Sequence, residues 1–66
     1  MRWAQEQRMK FITGRLNAQG FVNRRHLMIK FGISAVQAAV DFRTYQSLYP
    51  KTMTYNATVK RYEATL

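Results

Sequence analysis

The sequence predicts a mainly α-helical fold with a small β-hairpin, in which three helices precede two strands. Apolar residues recur at helical spacing as far as about residue 49, and a segment rich in Thr, Tyr and Val follows Pro50. Proline cannot continue a helix, so Pro50 separates the helical part from the predicted strands. A chain of 66 residues has room for one small domain with a thin core, and we expect a single domain over residues 1–66.

The first helix is predicted over about residues 3–19. Three of its apolar residues recur at i, i+3 and i+7 and form a stripe that can face a core: Met9, Ile12 and Leu16. Gly20 suits the left-handed conformation that ends many helices. Trp3 has two interpretations, since it can pack beneath the helix or anchor a dimer contact.

The segment over about residues 23–49 predicts two short helices joined by a tight turn. Asn23 and Ser34 are good N-cap residues, and Gly32 suits the left-handed end of the first of the two helices. Three residues of the second helix have the spacing of an inward face: Ala38, Phe42 and Tyr45. This pattern is typical of a helix-turn-helix, whose second helix usually lies in the DNA major groove.

The segment KTMTYNATVKRYEA predicts a β-hairpin over about residues 52–64, with its turn near Asn56. Its expected inward residues are Met53, Tyr55 and Tyr62. Three helices followed by a two-stranded hairpin form a winged helix-turn-helix. The sequence therefore predicts this fold, with the hairpin as the wing.

The chain is strongly basic, with 11 Lys and Arg against three acids and a net charge of +8 at pH 7. The basic residues extend from Arg2 to Arg61, so the charge belongs to the whole domain. Such a field favours a polyanionic partner, with nucleic acid first and an anionic membrane second. The alternative is that the charge only keeps a small protein soluble.

No apolar run approaches the roughly 18–20 residues that a membrane span needs, and the N-terminus lacks the apolar region of a secretory signal. We therefore expect a cytoplasmic, nucleoid-associated protein without a membrane partner. The three acids, Glu6, Asp41 and Glu63, are far apart, and cysteine is absent. We expect no enzyme activity, metal, cofactor or small-molecule ligand. Asp41 is expected to pair with a nearby Arg or Lys, and His26 to lie at the surface or to contact phosphate.

The outer face of the second helix of the motif supplies the candidate base-reading residues: Ser34, Ala35, Val36, Gln37, Ala39, Val40 and Arg43. Gln37 can bind an adenine edge through two hydrogen bonds, and Arg43 can reach a guanine or a phosphate. The apolar members suit thymine methyl groups, which predicts an operator rich in A·T pairs. The alternative for Val36 and Val40 is that they complete the core.

Candidate phosphate contacts are Arg24, Arg25, Thr44, Lys51 and Thr52. Arg24 and Arg25 open a helix where the dipole disfavours cations, so we expect them to face a partner rather than only solvent. The candidate wing contacts are Thr58, Lys60 and Arg61. Strand alternation would place Lys60 and Arg61 on opposite faces, and the alternative is that both protect an edge strand from aggregation.

The run from Arg8 to Ala64 resembles the N-terminal winged-helix domain of bacterial WYL-type transcriptional regulators, especially repressors of phage-defence islands. RMKFITGRLNAQGFVNRRHLMIKFGIS, AVQAAVDFRTYQSLYP and TYNATVKRY carry the resemblance. It implies dimeric, sequence-specific binding to promoter DNA, usually as a repressor. Such regulators continue into a ligand-sensing WYL region and a dimerising tail. The chain is therefore expected to be either a small stand-alone regulator of phage or plasmid type, or an excised DNA-binding domain.

The predicted function is repression by a homodimer that binds double-stranded DNA at a palindromic operator. The first helix, with Trp3 and Phe11, is the hypothesised dimer surface. Two other functions stay open for the same fold: a protein-interaction adaptor, and an architectural or RNA-binding protein without sequence preference. Weak, sequence-insensitive binding to DNA would favour the adaptor, and binding for which the base-facing residues do not matter would favour the architectural or RNA-binding protein.

Overall fold

The computed structural model describes residues 2–65, which form three helices and three short strands. In chain order these are α1 (Trp3–Gln19), β1 (Phe21–Val22), α2 (Arg24–Phe31), α3 (Ala35–Leu48), β2 (Met53–Asn56) and β3 (Arg61–Ala64). The predicted fold class is confirmed, with one addition. The hairpin of β2 and β3 takes up β1 as a third strand, so the sheet has the order β1-β3-β2.

Side-chain caps and a glycine define the helix-turn-helix. Asn23 Oδ1 accepts a hydrogen bond from the backbone N–H of His26 at 3.1 Å, and Ser34 Oγ accepts one from the N–H of Gln37 at 3.0 Å. Each bond reaches a backbone N–H in the first turn, where the regular hydrogen bonds of the helix are missing. Gly32 ends α2 with φ 66°, a left-handed conformation that glycine adopts without steric strain. The turn between α2 and α3 therefore forms where the sequence predicts it.

The core lies between the three helices and the inner face of the sheet. The stripe predicted on α1 and the face predicted on α3 are both buried, and the buried apolar cluster comprises Met9, Ile12, Leu16, Val22, Leu27, Ala38, Phe42, Tyr45 and Met53. Tyr45 satisfies its hydroxyl by a 2.8 Å hydrogen bond to Thr13 Oγ1 of α1. This hydrogen bond joins the second helix of the motif to α1.

The wing is attached to the helical body from two directions. In β1, Val22 pairs antiparallel with Tyr62 of β3. The Tyr62 ring stacks on Phe42 of α3, with centroids 4.2 Å apart and planes at 17°. Strand pairing and aromatic stacking together hold β3 beside α3.

Two side chains differ from their expected positions. Tyr55 was expected to face inward but is 47% exposed, because the hairpin extends beyond the core after Met53. Trp3 is 74% exposed, so packing beneath α1 is wrong for this residue. Phe11, the other residue of the hypothesised dimer surface, is half-buried and packs edge-to-face on Phe31 at 5.5 Å. Its ring therefore helps to join α1 to α2.

Within residues 2–65, none of the helices combines the length and the apolar character that crossing a bilayer requires. The same part of the chain contains no group of three or more His, Cys, Asp or Glu residues arranged to hold a metal ion.

Candidate DNA interface

Near the N-terminus of α3, the side chains opposite the core are exposed to different degrees. Val36 is 75% exposed, so it does not complete the core, and Arg43 is also exposed. Ser34 is exposed in front of the helix. The other four candidate base-reading residues are half-buried: Ala35, Gln37, Ala39 and Val40. The predicted face is therefore present, with Val36 and Arg43 as its most exposed members.

Basic side chains from α2 and α3 lie beside the wing. Arg24 and Arg25 are exposed at the start of α2. Burial, and then the neighbouring Tyr55, raise the pKa of Tyr62, while the positive charges of Arg24 and Arg43 oppose this rise. Both positive charges therefore act on the Tyr62 hydroxyl. The fold brings the start of α2, the middle of α3 and strand β3 to one surface.

The tip of the wing is an ordered turn over residues 57–60. Asn56 Oδ1 accepts hydrogen bonds from the backbone N–H groups of Thr58 at 3.0 Å and Val59 at 3.3 Å. Lys60 is exposed and has φ 55°, the left-handed region that disfavours most side chains. The predicted strand alternation does not apply to Lys60, because this residue lies in the turn and not in β3.

Arg61 makes contacts with two neighbouring side chains, those of Glu63 and Phe21. Its Nε donates to Glu63 Oε2 at 2.9 Å, and its guanidinium carbon lies 4.3 Å from the centroid of the Phe21 ring. The hydrogen bond from Arg61, and then one from Asn56, lower the pKa of Glu63. Of the three candidate wing contacts, the structure leaves Thr58 and Lys60 at the exposed tip and engages Arg61 in a surface cluster with Glu63 and Phe21.

Lys51 and Thr52 lie at the far end of α3. The helix has 14 residues, a length of about 21 Å. Both side chains are exposed and line an open groove beside α1, and Thr52 Oγ1 donates to the carbonyl oxygen of Tyr49 at 2.7 Å. Thr44 is half-buried within α3. The structure therefore separates Lys51 and Thr52 from the N-terminal face of α3.

A buried carboxylate joins α3 to α1. Asp41 is fully buried, and its Oδ2 lies 2.6 Å from Nε of Arg8, whose side chain is 15% exposed. Arg8 Nη2 also donates to Oδ1 at 3.3 Å, and Gln37 Nε2 donates to the same oxygen at 3.1 Å. The expectation that Asp41 pairs with a basic residue is confirmed. The sequence did not identify the partner, which is 33 residues away.

The sequence gives a weak indication that Arg8 contacts the helix-turn-helix. It lies on the same face of α1 as Phe11 and Arg15, at helical spacing. All three residues of this stripe are half-buried and contact the helix-turn-helix: Arg8 through Asp41, Phe11 through Phe31, and Arg15 through His26. This stripe of mixed polarity beside the apolar one is the signal from which a polar contact between helices could have been predicted.

His26 was expected at the surface or as a phosphate contact, and the structure corrects this. Its Nδ1 accepts the backbone N–H of Asn23 at 3.1 Å, which completes a reciprocal N-cap of α2, and its Nε2 lies 3.1 Å from Nη2 of Arg15. A neutral imidazole can accept at only one nitrogen. The two contacts compete for that nitrogen, since the backbone N–H of Asn23 requires Nδ1 to accept and the guanidinium of Arg15, which only donates, requires Nε2 to accept. A protonated ring could accept at neither nitrogen. Burial, and then the charge of Arg15, accordingly lower the pKa of His26.

Stability should therefore depend on pH through His26. Its pKa is lowered in the folded state, so the unfolded chain binds the proton more readily, and stability falls as pH drops below the ordinary value of 6.5. The melting temperature, measured by circular dichroism between about pH 7 and about pH 5, is expected to fall. His26→Gln keeps a capping-box acceptor but cannot titrate in this range, so its melting temperature should fall less. An equal fall in both proteins would contradict the prediction.

A family model described as the BrxR transcriptional regulator winged helix-turn-helix domain matches residues 4–66. The chain belongs to this family. The match covers α1 from its second residue, all of α2 and α3, and the wing, including the face of α3 described above. The resemblance to regulators of this class, inferred from the sequence, is confirmed.

Longer proteins contain similar sequences. The DNA-binding transcriptional repressor CapW of Escherichia coli (strain KTE188) is 41% identical over 64 residues, which are 97% of this chain and 21% of that protein. The Pseudomonas aeruginosa protein of the same name is also 41% identical over 64 residues, with the same coverage. The Stenotrophomonas maltophilia one is 42% identical over 65 residues, 98% of this chain and 22% of its own length. This winged-helix chain thus spans about a fifth of the length of these relatives.

Proposed function

We propose that the chain binds double-stranded DNA as the reading domain of a transcriptional repressor, with the N-terminal part of α3 in the major groove. The observation that carries this proposal is the outward face of α3 with Arg24 and Arg43 beside it. Relatives that match nearly the whole chain are named DNA-binding transcriptional repressors, which supports the proposal. A protein of this kind would act in the cytoplasm at the nucleoid and would need no catalytic group.

The proposed base-reading residues keep the set expected from the sequence: Ser34, Ala35, Val36, Gln37, Ala39, Val40 and Arg43. Val36 has the exposed apolar surface that suits a thymine methyl group. Gln37 can bind adenine, and the exposed Arg43 can reach a guanine or a phosphate. This combination favours an operator that contains A·T pairs.

The proposed phosphate contacts come from both sides of α3: Arg24, Arg25, Thr44, Lys51 and Thr52, with Thr58, Lys60 and Arg61 from the wing. Arg24 and Lys60 have the strongest support, because one lies beside Tyr62 and the other at the exposed tip. The interaction of Arg61 with Glu63 makes it the weakest of the wing candidates. Lys51 and Thr52 could contact only backbone at some distance from the bases read by α3.

Two copies on a palindromic site would supply the specificity that one small domain lacks. A single domain makes few phosphate contacts, and non-specific affinities of such domains are about 10⁻⁴–10⁻⁶ M. Half-sites one helical turn apart, about 34 Å, would let two recognition helices enter successive major grooves on one side of the duplex. The exposed Trp3 is a candidate for the dimer contact.

Selection of bound sites from random double-stranded DNA tests the proposal. We expect the chain to enrich a short motif with A·T pairs, and a palindromic motif if two copies bind together. Enrichment without a motif would instead favour the non-specific or architectural function, and no enrichment would favour the protein-interaction adaptor. In each of these two outcomes the proposed function is wrong.

Removing the charge at the wing tip should weaken binding to all DNA sequences alike. Lys60→Asn is the suitable variant, because asparagine tolerates the left-handed conformation better than most residues. The slope of log K against log salt should become less steep by about one, as expected for the loss of one phosphate contact. Titrations of labelled duplex at several salt concentrations measure this slope.

Lys10→Gln is the matched control for Lys60→Asn. It removes the same charge from an exposed position of α1, beside the groove with Glu6 and Tyr49 and away from the wing. Its salt slope should equal that of the wild type. Equal changes in both variants would mean that overall charge, and not the wing tip, determines the affinity.

A further inference from the structure

The hydrogen bond between Gln37 and Asp41 determines which end of the Gln37 amide can meet DNA. The Gln37 Nε2 atom lies 3.1 Å from Oδ1 of Asp41. A glutamine amide has a donor end and an acceptor end of nearly the same shape, and it can usually present either one. A carboxylate paired with Arg8 only accepts hydrogen bonds, so the NH₂ group of Gln37 must face it.

The carboxylate itself cannot rotate away. Both of its oxygens accept from Arg8, at 2.6 Å and 3.3 Å, and Asp41 is fully buried. A bidentate contact of this kind fixes the plane of the carboxylate. The acceptor presented to Gln37 is therefore held by a residue of α1, outside the helix-turn-helix.

The other end of the amide is open. Gln37 is half-buried, and among residues 2–65 no hydrogen bond to its Oε1 is found, nor is this oxygen a buried atom without a partner. With one N–H directed at Asp41, the amide retains its oxygen and a second N–H for an outside group. This is the combination that binds adenine, whose N6 donates and whose N7 accepts.

We propose that Asp41 is a specificity-determining positioning residue, which orients Gln37 so that it reads adenine and rejects guanine. This inference rests on the proposed function, because it requires α3 to contact bases. Guanine presents two acceptors, N7 and O6, and would bind the opposite orientation of the amide. Asp41 is fully buried, so its effect on base preference would pass through Gln37.

The test compares site selection by three chains: the wild type, Gln37→Ala, and Arg8→Met combined with Asp41→Leu. The double substitution removes both charges together, so no unpaired buried charge remains, and such replacements are often neutral for folding. Gln37→Ala identifies the base pair that Gln37 reads. At that pair we expect the ratio of adenine to guanine among the selected sites to be about tenfold lower for the double variant than for the wild type. The base preferences of the double variant at the other positions should not change.

The possible outcomes separate the two proposals. If the wild type selects no site, both fail. If it selects a site and the double variant retains the full preference for adenine at the Gln37 position, only the role of Asp41 is wrong. A uniform loss of affinity at every position would also overturn it, since that is the result of a purely structural contact.

A measurement on the wild type needs no variant to fold. The side-chain NH₂ group of Gln37 should show restricted motion in ¹⁵N relaxation, because it donates to a fixed carboxylate. Gln46 lies on the same helix with an exposed side chain and provides the internal comparison. If the Gln37 amide is as mobile as that of Gln46, Asp41 does not orient it and the inference fails.

Discussion

Asp41→Ala is expected to unfold a large fraction of the protein at room temperature. The substitution leaves the guanidinium of Arg8, only 15% exposed, without its carboxylate partner. Breaking a buried ion pair from one side destabilises proteins by about 3–5 kcal/mol. A single core of this size rarely supplies more than about 3–5 kcal/mol in total. Urea or thermal unfolding followed by circular dichroism would measure the loss.

The double variant Arg8→Met/Asp41→Leu is the control for this prediction. It removes the same ion pair but leaves apolar side chains in place of both charges, so its stability should stay close to that of the wild type. If the double variant is as unstable as Asp41→Ala, the loss comes from the missing interactions themselves and not from an unpaired charge. If Asp41→Ala is as stable as the wild type, the ion pair does not form in solution.

Phe42→Ala is expected to have a comparably large effect, for a different reason. Phe42 is fully buried and stacks on Tyr62 at 4.2 Å, so it packs in the core and contacts the wing. Truncating a buried phenylalanine destabilises proteins by about 3–5 kcal/mol, through lost burial and the cavity that remains. The free energy of unfolding in urea should fall by this amount.

Phe42→Leu separates the two contributions of this ring. Leucine retains most of the apolar volume but cannot stack, so we expect a loss of about 1–2 kcal/mol. Hydrogen exchange should accelerate at the amides of β3 more than at those of α1, because the contact between α3 and the wing is weakened. Uniform acceleration across the chain would show that the stack has no particular role in holding the wing.

The helices were predictable because their signals are local. Caps at Asn23 and Ser34, left-handed glycines and the spacing of apolar residues all act within a few residues of each other. Strand β1 could not be assigned in the same way. It has two residues, and it exists because Phe21 and Val22 meet β3 some 40 positions later, at Glu63 and Tyr62. Pairing over that distance has no periodicity to recognise.

The candidate interface was predictable in its position but not in its internal contacts. The core face of α3 follows from helical spacing, so the outward face follows too, but spacing left open whether Val36 is exposed or completes the core. The engagement of Gln37 by Asp41, of Arg61 by Glu63 and of His26 by Asn23 depends on side-chain rotamers and on neighbours brought in by the fold. Sequence spacing alone does not contain that information.

The attachment of β3 to both β1 and α3 bears on the entropy that binding costs. A wing joined only by its own turn would sample many orientations and would lose that freedom on meeting a duplex. Here the distance between the exposed tip and the recognition helix is already defined in the unbound protein. For the proposed binding to DNA, the entropy lost on association should be correspondingly smaller, because the shape of the contact surface is pre-organised.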